Sequence, residues 1–171
     1  MEKLAQHLQL LHKVLFRFEI SFKKLATAQN DLSKFDSDDV MAYRDSCIKR
    51  FELSYGLLWK TLEDYLQEAH GIETVSPKTT IHASYKKNFT TQEETDIFLA
   101  MIETKNIIMH KYDELMSDDV MAKLARYYSL MKIIADRLTS HTQEKNNDTH
   151  FIFYNHSCIH PTIQQCVHGH G

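Results

Sequence analysis

The stretch EKLAQHLQLLHKVLFRFEISFKKLATAQ, Glu2 to Gln29, decides the fold class. Leu4, Leu8, Leu11, Leu15, Phe18, Phe22 and Leu25 recur at intervals of three and four, the period that gathers side chains onto one face of an α-helix. Leu10, Val14 and Phe16 widen that stripe. A stripe so broad asks for more than one neighbour, which predicts packing both within a bundle and against a second subunit.

Working outward, the punctuation of the chain agrees with long helices. Before the last thirty or so positions the glycines are Gly56 and Gly71 and the proline is Pro77, too few breakers for a sheet built on tight turns. Ser37 is read as the cap of a second helix, with Asp38 and Asp39 favouring its positive end, and the apolar pattern then runs from about Val40 to His70. Its inward positions are Cys47, Phe51, Tyr55, Leu58, Leu62 and Tyr65, and Gly71 stands where helices commonly stop. Arg44, Asp45, Lys49 and Glu52, three and four apart, are assigned to its exposed side.

Ser76 and Pro77 open a short third helix on which Lys78, His82 and Lys86 share a face. Thr91 and Glu94 form a capping box for a fourth that runs to about Tyr112. A fifth extends from Asp118 to about Thr139, with Val120, Leu124, Tyr127, Met131, Ile134 and Leu138 inward. The prediction is an all-α, antiparallel bundle of about five helices, dimeric, in two parts: residues 1–142 as the bundle and 143–171 as an irregular, histidine-containing tail.

Composition narrows the function. A formal charge of -3 gives no global basic signature, so nucleic-acid contact has to rest on a local patch, for which Lys78, His82 and Lys86 are the weak candidates beside the alternative of a solvated face. Three cysteines make no even framework, and Cys47 falls within a helical pattern, which suits a reducing, cytoplasmic setting. Charges at Glu2, Lys3 and Lys13 break the N-terminal apolar run, which predicts neither signal peptide nor membrane span. Cys158, His160, Cys166 and His168 match no common zinc module, so neither metal nor cofactor is expected. Trp59, between Leu58 and Leu62, reads as packing rather than as a stacking residue.

The chemistry concentrates at the end of the fourth helix, in ETKNIIMHKYDE, Glu103 to Glu114. Asn106 and His110 are four apart and share a face; Lys105 and Tyr112 are seven apart and share the next. A histidine can carry a proton near neutral pH, and a cation can stabilise charge building on a phosphate. Cleavage of RNA by its own 2′-hydroxyl needs little more and no metal. The competing reading is a helix end whose polar residues only satisfy the last carbonyls.

The same stretch, KNIIMHKYDE preceded by FLAMIET, resembles the HEPN signature Arg-x4-His-x-Tyr as found in HepT-like toxins and in the nucleotidyltransferase substrate-binding subgroup. RDSCIKRFELSYGLLWKTLEDYL resembles that subgroup's second helix, and SPKTTIHASYKKNF and LARYYSLMKIIADRL fall where its later helices lie. The likeness covers about Met1 to Ser140. It implies a bundle that dimerises with two motifs facing one cleft, and a minimal nucleotidyltransferase as partner in a toxin–antitoxin-like pair. By position His110 matches the catalytic histidine, Asn106 the polar residue after the arginine, and Tyr112 the tyrosine to which the partner transfers AMP. The motif arginine is Lys105 here, which keeps charge and loses the two-pronged geometry. The resemblance therefore implies a substrate-binding partner with weak or lost ribonuclease activity. The alternatives are an active, metal-independent endoribonuclease toxin, and a purely structural dimerisation module.

Overall fold

The computed structural model describes residues 2–31, 33–108 and 118–156, with side chains outside 118 and 144–156. The described residues form five helices: α1 (Glu2–Asn30), α2 (Ser37–His70), α3 (Pro77–Lys86), α4 (Gln92–Ile108) and α5 (Asp118–His156). The chain divides into two compact units, Met1–Thr139 and Ser140–Gly171.

The helix ends follow from local chemistry. The cap of α2 is Asp36 and not Ser37: the Asp36 carboxylate accepts the Asp39 N–H at 2.9 Å and the Asp39 side chain accepts the Asp36 N–H at 3.2 Å. Ser37 is the first helical residue. A carboxylate one position upstream can serve both this pairing and the helix dipole, so it displaces the serine. Gly71 closes α2 at φ +65°, where a Cβ would be strained, and its N–H reaches the Gln67 carbonyl at 3.0 Å. Ser76 and Thr79 cap α3 reciprocally, and Thr91 and Glu94 do the same for α4.

Pairs of contacting side chains give the helix directions in the first unit. His7 of α1 meets Asp64 of α2, and Ser21 meets Ser46 at 2.9 Å, so α1 and α2 are antiparallel. Tyr55 packs on Phe98 (5.9 Å between centroids) and Tyr65 on Phe89 (4.5 Å), which sets α2 antiparallel to α4. Thr104 meets Tyr127 and Glu94 meets Arg137, so α4 and α5 are antiparallel, as are α1 and α5 through His12–Thr139 and Phe18–Tyr128. The four long helices form an up-and-down bundle, with α3 inserted at the end where α2 stops and α4 starts.

The expected stripes are the core. Leu4, Leu8, Leu11, Leu15, Phe18 and Leu25 are buried on α1, and Cys47, Phe51, Tyr55, Leu58, Leu62 and Tyr65 on α2. Phe16 at 63% and Leu10 at 46% exposure are left uncovered by this chain, while Val14 is half-buried. Trp59 lies half-buried against the core with the Lys60 ammonium 4.0 Å from its ring. On α5 Leu124, Tyr127, Met131, Ile134 and Leu138 point inward, and Val120 is partly buried.

One boundary differs from expectation. The sequence reading stops the fifth helix near Thr139, yet the backbone stays helical to His156. Loss of the apolar period does not end the helix, because residues 140–156 contain no proline or glycine to break it. The second unit is described only over this helical stretch, so the remainder of the predicted tail, with Cys158, His160, Cys166 and His168, lies outside the described residues. No described helix is long and apolar enough to cross a membrane.

Candidate functional site

The last turns of α4 are held from below. Met101 is fully buried, and Thr104, at 9% exposure, shares a 2.9 Å hydrogen bond with the Tyr127 hydroxyl of α5. Tyr127 in turn packs on Phe51 of α2 with 5.6 Å between centroids, and Phe51 on Tyr55 at 6.1 Å. This aromatic layer fixes the rotation of α4, and rotation decides which residues of its end face out. Lys105 is half-buried, whereas Glu103 and Asn106 are exposed. His110 and Tyr112 lie outside the described residues. The structure therefore places Lys105 and Asn106 on adjacent faces near the end of α4, the first partly covered and the second open.

The basic strip is elsewhere. Lys78, His82 and Lys86 are all exposed or half-exposed on α3, whose buried face is Thr80, Ile81 and Ser84. This helix joins the C-terminal end of α2 to the N-terminal end of α4, and Lys105 sits at the other end of α4. Lys105 lies thirteen residues along α4 from Gln92, a rise of about 20 Å. Sequence spacing left these two groups free to form one surface; the fold assigns them to opposite ends of the bundle.

Part of the side of α2 read as exposed is partly covered. Lys49 pairs with Glu52 at 3.6 Å and is exposed as expected, but Arg44 and Asp45 are half-buried. Arg44 lies three positions before Cys47 and seven before Phe51, on the inward stripe of α2. Its charge acts on Cys47, opposing the effect of burial, which pushes the thiol up to about 12. Cys47 is thus a protonated, inert core residue at neutral pH. The signal that could have identified Arg44 is the i, i+3, i+7 period itself, which arginine's residue type conceals.

Between α4 and α5 runs a shallow groove of about 390 Å³, with Ile97, Ala100 and Tyr127 as its apolar floor. Glu93 and Asp96 line its α4 edge, and Lys123 and Arg126 its α5 edge; Arg126 lies 3.5 Å from Glu93. Among the described residues no three His, Cys, Asp or Glu side chains gather as metal ligands would.

An antiparallel helical bundle of this kind suits a HEPN-like helical family. The model of the family described as nucleotidyltransferase substrate binding protein like matches residues 7–140, and the chain belongs to that family. A protein from Thermus thermophilus, known from its crystal structure, is 31% identical, superposes with a TM-score of 0.55, and is covered over 98% of its length by 69% of this chain. No curated protein matches the chain.

Proposed function

We propose that this protein is the substrate-binding partner of a minimal nucleotidyltransferase, working with it in the cytoplasm as a toxin–antitoxin-like pair, and that it does so as a homodimer. The observation that carries the reading is family membership over residues 7–140, together with a seated α4 that presents Lys105 and Asn106 at its end. Residues 1–142 are taken as the functional bundle and 143–171 as an appendage. In this reading Tyr112 is the residue the partner modifies with AMP. Co-expression of the tagged chain with a small nucleotidyltransferase encoded beside it should recover both proteins on one affinity column. Recovery of the tagged chain alone would overturn the pairing.

A second reading, an endoribonuclease toxin needing no metal, is favoured by one observation: the position of the motif arginine still carries a cation, and it is half-buried. His110 would move the proton, Lys105 stabilise the phosphate charge and Asn106 orient the substrate, with Lys78, His82 and Lys86 as a separate, weak contact for RNA. Bulk RNA incubated in EDTA with wild type, Lys105→Arg, and Lys105→Arg with His110→Ala decides it. Cutting by wild type that the double change abolishes makes the protein a toxin. Cutting by Lys105→Arg alone makes it a disarmed relative that binds, and no cutting by any variant removes ribonuclease chemistry. If neither partner nor RNA is engaged, a structural dimerisation module remains.

A further inference from the structure

Gly56 stands within α2, and a Cβ placed on it would meet nothing outside its own stretch of helix within 4 Å. Its backbone is ordinary helix, so neither a left-handed turn nor a crowding neighbour in this chain asks for glycine there. Glycine weakens a helix interior relative to alanine. A residue that costs the protomer stability and meets no need inside it points to a close approach from outside.

The side chains around Gly56 are arranged about that point. Glu52 and Lys60 lie four residues before and after it, Lys49 and Glu63 seven before and after, and Leu53 and Trp59 three before and after. At the α-helical period all six fall within about 60° of the direction of Gly56, on the outward side of α2. Leu53 is 41% exposed there, and Trp59 is half-buried. Each of the four charges has a partner on its own helix, Lys49 with Glu52 at 3.6 Å and Lys60 with Glu63 at 3.0 Å. Surface pairs of this kind contribute little, and a carboxylate can accept from a second ammonium without releasing the first.

A two-fold axis at Gly56 turns these offsets into contacts. An antiparallel copy of α2 crossing there sets each position opposite the one equally far on the other side. Glu52 then meets Lys60 of the second copy, Lys49 meets its Glu63, and Leu53 meets its Trp59. A parallel copy in the same register would oppose every charge to its like. Among the described residues the outward faces of α1 and α5 carry mostly cations, with Lys13, Arg17 and Lys24 on the first and Lys123, Arg126 and Lys132 on the second, and would repel themselves.

We propose that the outward face of α2 is the surface on which two copies of this chain associate, as antiparallel helices crossing at Gly56. Leu53 of each copy packs on Trp59 of the other, and the opposed charges fix the register more than they add affinity. The proposal rests on the homodimer put forward above and supplies its surface.

The test is sedimentation velocity across the micromolar range, with the unfolding midpoint of every variant measured beside it. Wild type should dimerise. Gly56→Leu, whose side chain enters open space in the protomer, should weaken dimerisation about tenfold or more while remaining folded. Two charge variants make the stronger test: Lys49→Glu with Lys60→Glu gives an acidic face, and Glu52→Lys with Glu63→Lys a basic one. Each alone should be monomeric, and their mixture should form a heterodimer, an outcome that no effect within one chain produces. A monomeric wild type would overturn the surface and the homodimer together. A dimer that Gly56→Leu leaves intact, or folded charge variants that self-associate as wild type does or stay apart on mixing, would overturn the surface alone. Capture of the nucleotidyltransferase reads the pairing separately from all of these.

Discussion

Arg137 of α5 grips Glu94 of α4 with both arms of its guanidinium, Nη2 to Oε1 at 2.7 Å and Nη1 to Oε2 at 2.9 Å. The same carboxylate accepts the Thr91 N–H at 2.9 Å, and Nη1 also donates to the Phe89 carbonyl at 2.6 Å. One pair thus caps α4, fastens it to α5, and ties down the turn that follows α3. Arg137→Ala leaves Glu94 and the Phe89 carbonyl short of a partner in a mostly buried place, and should cost about 2–3 kcal/mol in urea unfolding.

The Arg137 guanidinium holds the Glu94 carboxyl below its ordinary value of 4.5. A depressed folded value means stability is present above pH 4.5 and is lost as pH falls through the lowered one. The unfolding midpoint of wild type should therefore drop more steeply on acidification than that of Glu94→Gln, which lacks this titration. Parallel pH profiles would show that the pair contributes nothing across that range.

Tyr127→Phe removes the partner of the Thr104 hydroxyl while keeping the ring against Phe51. Leaving that buried hydroxyl unpaired should cost about 1–2 kcal/mol. Hydrogen exchange should rise at the amides of 104–108 more than elsewhere in α4. A uniform rise along the whole helix would mean that this bond does not set the seating of its last turn.

Ser54 is fully buried, and its Oγ has no hydrogen-bond partner among the described residues. Ser54→Ala should raise stability by about 1 kcal/mol, because it removes an unsatisfied polar atom and leaves the backbone alone. A fall in the unfolding midpoint would reveal a partner for that hydroxyl.

Asp64, at 6% exposure on α2, receives Lys3 Nζ at 2.7 Å and lies 2.5 Å from His7 Nδ1, both on α1. Asp64→Asn keeps the shape and removes the charge, and should cost about 2 kcal/mol with fraying confined to the first two turns of α1. Proteolysis near Lys3 in the variant and not in wild type would register it. Equal resistance would show that Leu4 and Leu8 hold that end without the carboxylate.

The bundle was legible because its evidence is periodic. Leu4 to Leu25, Cys47 to Tyr65 and Leu124 to Leu138 repeat the helical interval often enough that single exceptions do not blur it. Boundaries carry less redundancy: Asp36 and Ser37 are both good caps, and reciprocal bonding with Asp39 chose between them. Past Thr139 the sequence keeps no sustained helical period, so the continuation of α5 to His156 left no trace in it. The candidate site was legible in type and only partly in place. Lys105 and Asn106 could be read from spacing, but the roughly 20 Å of α4 that parts Lys105 from the α3 end of the bundle, and the partial burial of Arg44, depend on how the helices pack.

The two cations set into the core stripes have a consequence for how this chain could be improved as an object. Replacing Arg44 by leucine and Lys105 by methionine would let hydrocarbon continue between Cys47 and Val40 and between Met101 and Ile108, one complete layer that the helices are already long enough to hold. Both side chains also interact within the chain, so the exchange trades polar contacts for hydrocarbon, and the direction in which the unfolding midpoint moves reads which of the two does more to hold this end of the bundle together.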